Sequence, residues 1–267
     1  MEYMGLGKTG EKIPVIGMGT WKLAGGKECI EALRRGTELG GNFIDTAEMY
    51  GTESTVALAL KDGADAFVAT KVSPNHLRHD EVIKACDRSL KALGIKTIDL
   101  YQIHWPNPSI PIRETISAME TLVAAGKIRH IGVSNFSREE LAEAQSAAKR
   151  NEIVSNQIEY SVFERNPEKS LFAYCRKEKI SIIAYSPLGQ GLLYSQRSSG
   201  ALEALAEIGR NHGKSAGQVA LNWLIGKGNV LAIPKSGSRA HVEENMGSAG
   251  WRLSESEVAA VDRISPY

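Results

Sequence analysis

Four side chains in this sequence have the types that proton transfer to a carbonyl oxygen requires: Asp45, Tyr50, Lys71 and His104. A phenol ionises with a pKa of about 10, too high for easy proton exchange at neutral pH. A neighbouring ammonium stabilises the phenolate and lowers that value. A carboxylate holds the ammonium charged and in place, and an imidazole orients a carbonyl oxygen or shares its proton. A positioned, tuned acid of this kind accelerates a reaction by roughly 10²–10⁴. Singly, each residue has a plainer explanation. The Lys–Asp pair fits a buried salt bridge, Tyr50 fits packing beside Gly51, and His104 ahead of Trp105 and Pro106 fits a satisfied core imidazole. Placement decides for chemistry, because all four fall at the same ends of adjacent elements.

Those elements follow from hydrophobic periodicity. Short apolar runs at 16–20, 42–45, 66–71, 98–104, 128–134, 154–159, 181–185 and 230–234 predict strands, after an N-terminal turn around Gly10. Between them, amphipathic stretches at 27–39, 80–93, 112–125, 138–149, 169–177, 201–211, 216–225 and 239–248 predict helices, with a last one from Ser254 to about residue 264. Pro111 opens one helix and Gly126 closes it. Ser137 and Glu140 make a capping box for the next. Alternation of this kind predicts parallel βαβ units, in a closed barrel or an open sheet. The stretch GMGTWKLAGG after the first strand lacks GxGxxG spacing, which argues against an open dinucleotide-binding sheet. The expected fold is an α/β, (β/α)8 TIM barrel forming a single domain over residues 1–267. In such barrels the chemistry sits at the C-terminal strand ends. Here those ends carry Thr20, Asp45, Lys71, His104, Ser134, Asn135, Gln157, Glu159, Tyr185, Ser186, Lys235 and Ser236.

Composition narrows the partners. A net charge of +1 points away from nucleic acid and anionic membranes. No apolar run approaches the roughly 20 residues that span a bilayer. The opening MEYMGLGKTGEKIP has no apolar targeting segment, so a cytoplasmic location is expected. Cys29, Cys86 and Cys175 form no CxxC pair, so neither a disulfide framework nor a metal site is expected, and small buried hydrophobes in helices are.

The segments NFIDTAEMYG, FVATKV, IDLYQIHWP, IRHIGVSNF, SNQIEYS, IAYSPLGQG and IPKS resemble, in order and over nearly the whole chain, the signature stretches of the aldo-keto reductase superfamily. The resemblance implies a (β/α)8 barrel and NAD(P)(H)-dependent reduction of aldehydes and ketones, or the reverse oxidation. It places Asp45, Tyr50, Lys71 and His104 on the catalytic tetrad, with Tyr50 as proton donor. It implies that Ser134 and Asn135, helped by Gln157, hold the nicotinamide carboxamide, and that Tyr185 stacks on its ring. Gly19, Thr20 and Asp45 are further implied cofactor contacts. Ser186, Pro187, Leu188 and Gln190 would line the pyrophosphate. Lys235, Ser236 and Ser238 would meet the adenosine 2′-phosphate, and Glu244 and Asn245 the adenine. NADP(H) is the expected cofactor, with NAD(H) possible. Where the family commonly has an arginine this chain has His241, charged only when protonated, with Arg239 nearby. The stretch after His104, WPNPSIP, is short, and the chain stops at Tyr267 soon after the last helix. Trp21 and Trp105, with Tyr50 and His104, are then the expected walls of a permissive pocket for small carbonyl substrates.

Two other classes fit parts of the pattern. Lys71 at a barrel strand end suits a Schiff-base aldolase, although pairing with Asp45 would keep its amine protonated. A barrel that binds the cofactor and a protein partner without turnover is the non-enzymatic reading, and the intact tetrad speaks against it. Nothing in the sequence assigns an oligomeric state.

Overall fold

Eight parallel strands deliver their C-terminal ends to one rim of a closed barrel. The computed structural model describes residues 1–264 except Asp62 and Ala64, so the expectation resting on the chain end at Tyr267 lies outside the described residues. Strands β1 (Tyr3–Gly5) and β2 (Lys12–Pro14) form an antiparallel hairpin. The barrel strands are β3 (Met18–Gly19), β4 (Phe43–Asp45), β5 (Phe67–Val72), β6 (Ile98–Ile103), β7 (Ile128–Ser134), β8 (Ile153–Glu159), β9 (Ser181–Tyr185) and β10 (Val230–Ala232). They pair in chain order, and parallel bridges Ile16–Ala232 and Gly19–Lys235 close the ring. β10 is shorter than expected because Pro234 has no N–H to give the ladder. Its carbonyl instead accepts from the Gly19 N–H at 3.2 Å.

The helices are α1 (Gly26–Glu38), α2 (Glu53–Leu60), α3 (His79–Leu93), α4 (Ile112–Ala124), α5 (Arg138–Ala147), α6 (Leu171–Glu178), α7 (Ser199–His212), α8 (Ala216–Gly226), α9 (Arg239–Met246) and α10 (Glu255–Asp262). The capping boxes at Ser137–Glu140 and Ser254–Glu257 form as local chemistry dictates. Gly126 ends α4 with φ +69°. The three cysteines are buried, in α1, α3 and α6. Two elements were not expected. The segment around Gly10 is a full hairpin, whose three-residue strands are too short to show a period. α2 follows Gly51 directly, and its eight residues have only a weak apolar stripe.

Two apolar layers result. One lies between strands and helices, and the other fills the barrel, where Phe43, Ala69, Leu100, Val154, Ile183, Leu231 and Ile233 meet Leu6 and Ile13 of the hairpin. The hairpin therefore plugs the N-terminal end, and the Gly7 N–H donates to Ser181 Oγ at 2.9 Å. Among the described residues, no helix is long and apolar enough to cross a membrane.

The closing seam, and the approach of the chain to β4 beside it, need residues without side chains. A Cβ on Gly19 would stand 2.8 Å from the Ile233 carbonyl oxygen, and one on Gly17 2.8 Å from that of Phe43. Backbone cannot step aside as a side-chain tip can. We expect Gly19→Ala to open the seam, at a cost of about 1–3 kcal/mol by the usual penalty for overpacking. Thermal unfolding checks this, and an unchanged midpoint would mean that the seam has slack.

Candidate active site

The rim gathers the four proton-transfer residues from three neighbouring strands. Asp45 ends β4, Lys71 lies one residue short of the end of β5, and His104 follows β6 directly, its N–H donated to the Val72 carbonyl at 3.1 Å. Tyr50 ends the short 3₁₀ turn Glu48–Tyr50 beyond β4, where Gly51 takes φ +68°. Lys71 Nζ donates to Asp45 Oδ1 at 2.5 Å and to the Thr46 carbonyl at 2.9 Å. It lies 4.9 Å from the centre of the Tyr50 ring. The Tyr50 hydroxyl is 3.3 Å from His104 Nε2, with the two rings edge to face. The sequence-derived group is therefore one connected constellation.

Burial sets its charges. Lys71 is fully buried and Asp45 nearly so. Burial pulls the Lys71 pKa down and the Asp45 charge pulls it back, with burial the stronger. Burial and the Lys71 charge push His104 down to about 3, so its imidazole is neutral. Tyr50 corrects an expectation. Its pKa is raised rather than lowered, first by burial and then by the charges of Asp45 and Tyr185. The phenol is a fully protonated donor over the neutral range, and desolvation outweighs the ammonium beside it. The Schiff-base alternative loses ground too, since the amine is sealed from solvent and ion-paired.

A cavity of about 1120 Å³ opens over this group. Gly19, Ser134, Asn135, Gln157, Tyr185, Ser186, Pro187, Leu188 and Gln190 line it, and so do Lys235, His241, Glu244 and Asn245 at its far end. Its chemistry fits a nicotinamide dinucleotide. A flat ring stands beside the tetrad, a bent backbone follows with positive φ at Ser186, Gly189, Gln190 and Gly191, and the Lys235 ammonium also lines the cavity. The Tyr185 ring is fixed by its hydroxyl, which donates to Asn135 Oδ1 at 2.9 Å. Asn135, itself at φ +62°, spends Nδ2 on the His104 carbonyl and Ser134 Oγ, each at 3.0 Å. Ser134 Oγ donates to the Gln157 carbonyl at 3.0 Å. Gln157 Nε2 donates to Asp45 Oδ2 at 2.7 Å. The amide side chains expected to hold a carboxamide thus brace one another and the tetrad.

Four expected cofactor contacts do not line the cavity with the rest. Thr20 is fully buried, its hydroxyl 2.9 Å from that of Thr52, because the backbone turns it behind Asp45. Ser236 and Ser238 bond to each other, through Ser236 Oγ to the Ser238 carbonyl at 3.1 Å and the Ser238 N–H back to Ser236 Oγ at 3.2 Å. Arg239 pairs along its helix with Glu243 at 3.2 Å, and Glu243 also binds Arg35 at 2.6 Å. Arg239 thus faces Glu243 outside the cavity, whereas His241 lines it. Lys235 makes no ion pair with any described residue. Glu244 is half-committed, accepting from Ser215 Oγ at 2.5 Å.

The walls at the mouth include Trp21 and Trp105 as expected, both well exposed. Sequence reasoning missed Lys22, Met49 and Tyr194, which also line the opening, and Gln102, whose Nε2 reaches Asp45 Oδ2 at 3.3 Å. Gln102 was discoverable, being an amide in the apolar stretch LYQI that ends the strand. Tyr194 had no signal, since a 3₁₀ segment brings it back over the rim.

Comparison with known proteins agrees with this geometry. The aldo/keto reductase family matches the chain over residues 15–266. A methylglyoxal reductase of Escherichia coli is 37% identical over 264 residues, covering 95% of this chain and 92% of that protein. A glyoxal reductase of Bacillus subtilis is 34% identical, covering 96% and 90%. Among solved structures, a thermostable aldo-keto reductase in complex with the inhibitor epalrestat superposes with a TM-score of 0.92 at 42% identity, covering 99% of this chain and 100% of that one. An aldo/keto reductase from Klebsiella pneumoniae, in complex with NADP and acetate, superposes with a TM-score of 0.87 at 34% identity, covering 96% and 92%.

The depressed His104 has a consequence for stability. The unfolded chain binds a proton at this imidazole below its ordinary value of 6.5, whereas the folded protein resists until about 3. Stability from this group is therefore complete above pH 6.5 and is lost as pH falls toward 3. We expect the wild-type unfolding temperature to fall between pH 6.5 and about 4.5, and His104→Gln to show a shallower fall over the same window. Parallel curves would place the acid sensitivity elsewhere.

Proposed function

Because the chain belongs to the aldo/keto reductase family, we propose that Tyr50 gives the proton and the rim around it positions the hydride when a carbonyl is reduced here. The chain is an oxidoreductase acting on aldehydes and ketones with NADP(H). The bound nicotinamide supplies the hydride. The observation that carries the reading is the contact chain from Asp45 through Lys71 and Tyr50 to His104, beside the anchored Tyr185 ring.

Each residue then has one task. A planar face beside the tetrad suits Tyr185 to hold the nicotinamide ring in one orientation. His104, neutral, bonds to the phenol through Nε2. In the tautomer with its proton on Nε2 it donates to the phenol oxygen, and this leaves the Tyr50 proton for the carbonyl oxygen. As negative charge develops on the phenol oxygen, the Lys71 ammonium is the nearest cation, and stabilisation of charge that appears only in the transition state raises kcat. Asp45, fixed by Gln157 and Gln102, keeps that ammonium in place. At the other end Lys235 takes the 2′-phosphate of NADP(H), with His241 beside it. Trp21, Met49 and Trp105 leave an open, mostly apolar mouth that admits small and bulky aldehydes, aromatic ones included.

Two measurements test these roles. Tyr50→Phe keeps the ring and removes the proton, so kcat for an aldehyde should fall by roughly 10²–10⁴ while NADPH still binds; near wild-type turnover would exclude Tyr50 as the acid. Lys235→Ala should raise the NADPH dissociation constant about tenfold or more and leave NADH nearly unaffected, since charge-assisted bonds to phosphate are about twice as strong as neutral ones. Arg239→Ala, whose guanidinium faces Glu243, should change NADPH affinity by less than about twofold, which is the range of an exposed ion pair. A larger loss in Arg239→Ala than in Lys235→Ala would reverse the assignment.

A further inference from the structure

Tyr50 stands on a turn too small to hold itself. The 3₁₀ turn Glu48–Tyr50 is a single turn, entered by the bond from the Tyr50 N–H to the Ala47 carbonyl at 3.0 Å, with no side-chain cap at its start. A single turn of this length has no stability of its own in water. Ties on either side must therefore fix the phenol. Beyond Gly51, the Thr52 hydroxyl joins those of Thr20 and Thr46, each at 2.9 Å. On the other side stands Glu48. Its Oε2 accepts the Ser73 N–H at 3.0 Å. Its Oε1 accepts from Arg88 Nη2 at 2.8 Å and lies 2.9 Å from His76 Nδ1.

Those partners lead back to His104. Ser73 and His76 belong to the connection that follows β5. In that connection the Pro74 carbonyl accepts from Asn107 Nδ2 at 2.9 Å, and Asn107 lies three positions after His104. The Val72 carbonyl, one residue before Ser73, accepts the His104 N–H. Glu48 thus fastens the turn of Tyr50 to the frame that sets His104. We propose that Glu48 is a positioning residue for proton donation, holding the Tyr50 hydroxyl in register with His104 through its bonds to Ser73, Arg88 and His76. The proposal rests on the reading of Tyr50 as the donor.

Glu48 stands outside the lining of the cavity, on the turn that carries Tyr50. Arg88 is largely exposed, and an exposed ion pair contributes little to global stability. A displacement of about 1 Å at a donor costs up to about 10²-fold in rate. Loss of Glu48 is therefore read in the proton step before it is read in the fold.

The test compares wild type, Glu48→Ala, Glu48→Gln, Glu48→Asp and Tyr50→Phe with a small aldehyde and NADPH. It measures kcat, its solvent deuterium isotope effect, NADPH affinity by fluorescence and the unfolding temperature. We expect Glu48→Ala to lose about tenfold in kcat with a larger isotope effect and NADPH affinity within about twofold of wild type. Glu48→Gln, whose amide oxygen still accepts the Ser73 N–H, should stay within about threefold of wild-type kcat. Wild-type kcat and isotope effect in Glu48→Ala, with Tyr50→Phe inactive, would overturn the positioning role and leave the donor reading standing. Parallel losses of kcat and NADPH affinity would overturn it as well. An active Tyr50→Phe would remove the donor reading and this proposal with it. Should Glu48→Ala fail to fold, Glu48→Asp decides, since it keeps the charge but draws it back by one methylene. Reduced kcat with a raised isotope effect supports the role, and an unchanged pair of values ends it.

Discussion

The mouth of this barrel is organised around one buried ion pair, Lys71 with Asp45. Taking two charges out of water costs several kcal/mol per ion, and only good geometry with further hydrogen bonds offsets it. The protein supplies both. Asp45 divides its oxygens between Lys71 on one side and the amides of Gln157 and Gln102 on the other, and Lys71 has the Thr46 carbonyl as a second acceptor. Strands β4, β5, β6 and β8 each contribute a side chain to this one knot, so their relative heights at the rim are not free to vary. Removing either charge would strand the other in a dry site, which is why the pair can be necessary to the local structure without being a source of net stability.

The pair also dictates which neighbours are charged. Burial first, and then the cation held beneath the rim, keep His104 neutral. The same dryness keeps Tyr50 protonated, although a cation stands under its ring. The ammonium therefore does little for the resting phenol. On the role proposed for Tyr50, its effect would be reserved for the moment when charge forms on that oxygen, which is the condition for accelerating a reaction rather than merely tightening binding.

Much of this was legible in the residues. The alternation of short apolar runs with amphipathic stretches located the barrel strands, and the rule that barrel chemistry lies at strand ends brought Asp45, Lys71 and His104 to one rim. The capping boxes were readable because they depend on neighbours three residues apart. What was not readable depended on distance or on burial. The hairpin and α2 were too short to show a period. The direction of the Tyr50 shift was misjudged because a sequence names the ammonium beside a phenol but not how much water is missing. Arg239 and His241 differ by two positions on one helix, and rotation about that helix sends one to Glu243 and the other to the cavity. The pairing of Arg239 with Glu243, four residues on, was available as a local signal.

The hairpin at the closed end has a consequence for how the molecule is made. Leu6 and Ile13 are synthesised well before Val154, Ile183, Leu231 and Ile233, the residues they pack against. The bond from Gly7 to Ser181 spans 174 positions of chain. At roughly 5–20 residues per second of synthesis, the hairpin waits on the order of ten seconds or more for the strands it seals. A two-stranded ribbon is at best marginal alone in water, so for that interval the hairpin lacks the partners that bury Leu6 and Ile13. The floor of the barrel is thus synthesised before the strands it seals, and its native contacts are complete only once β10 has been made.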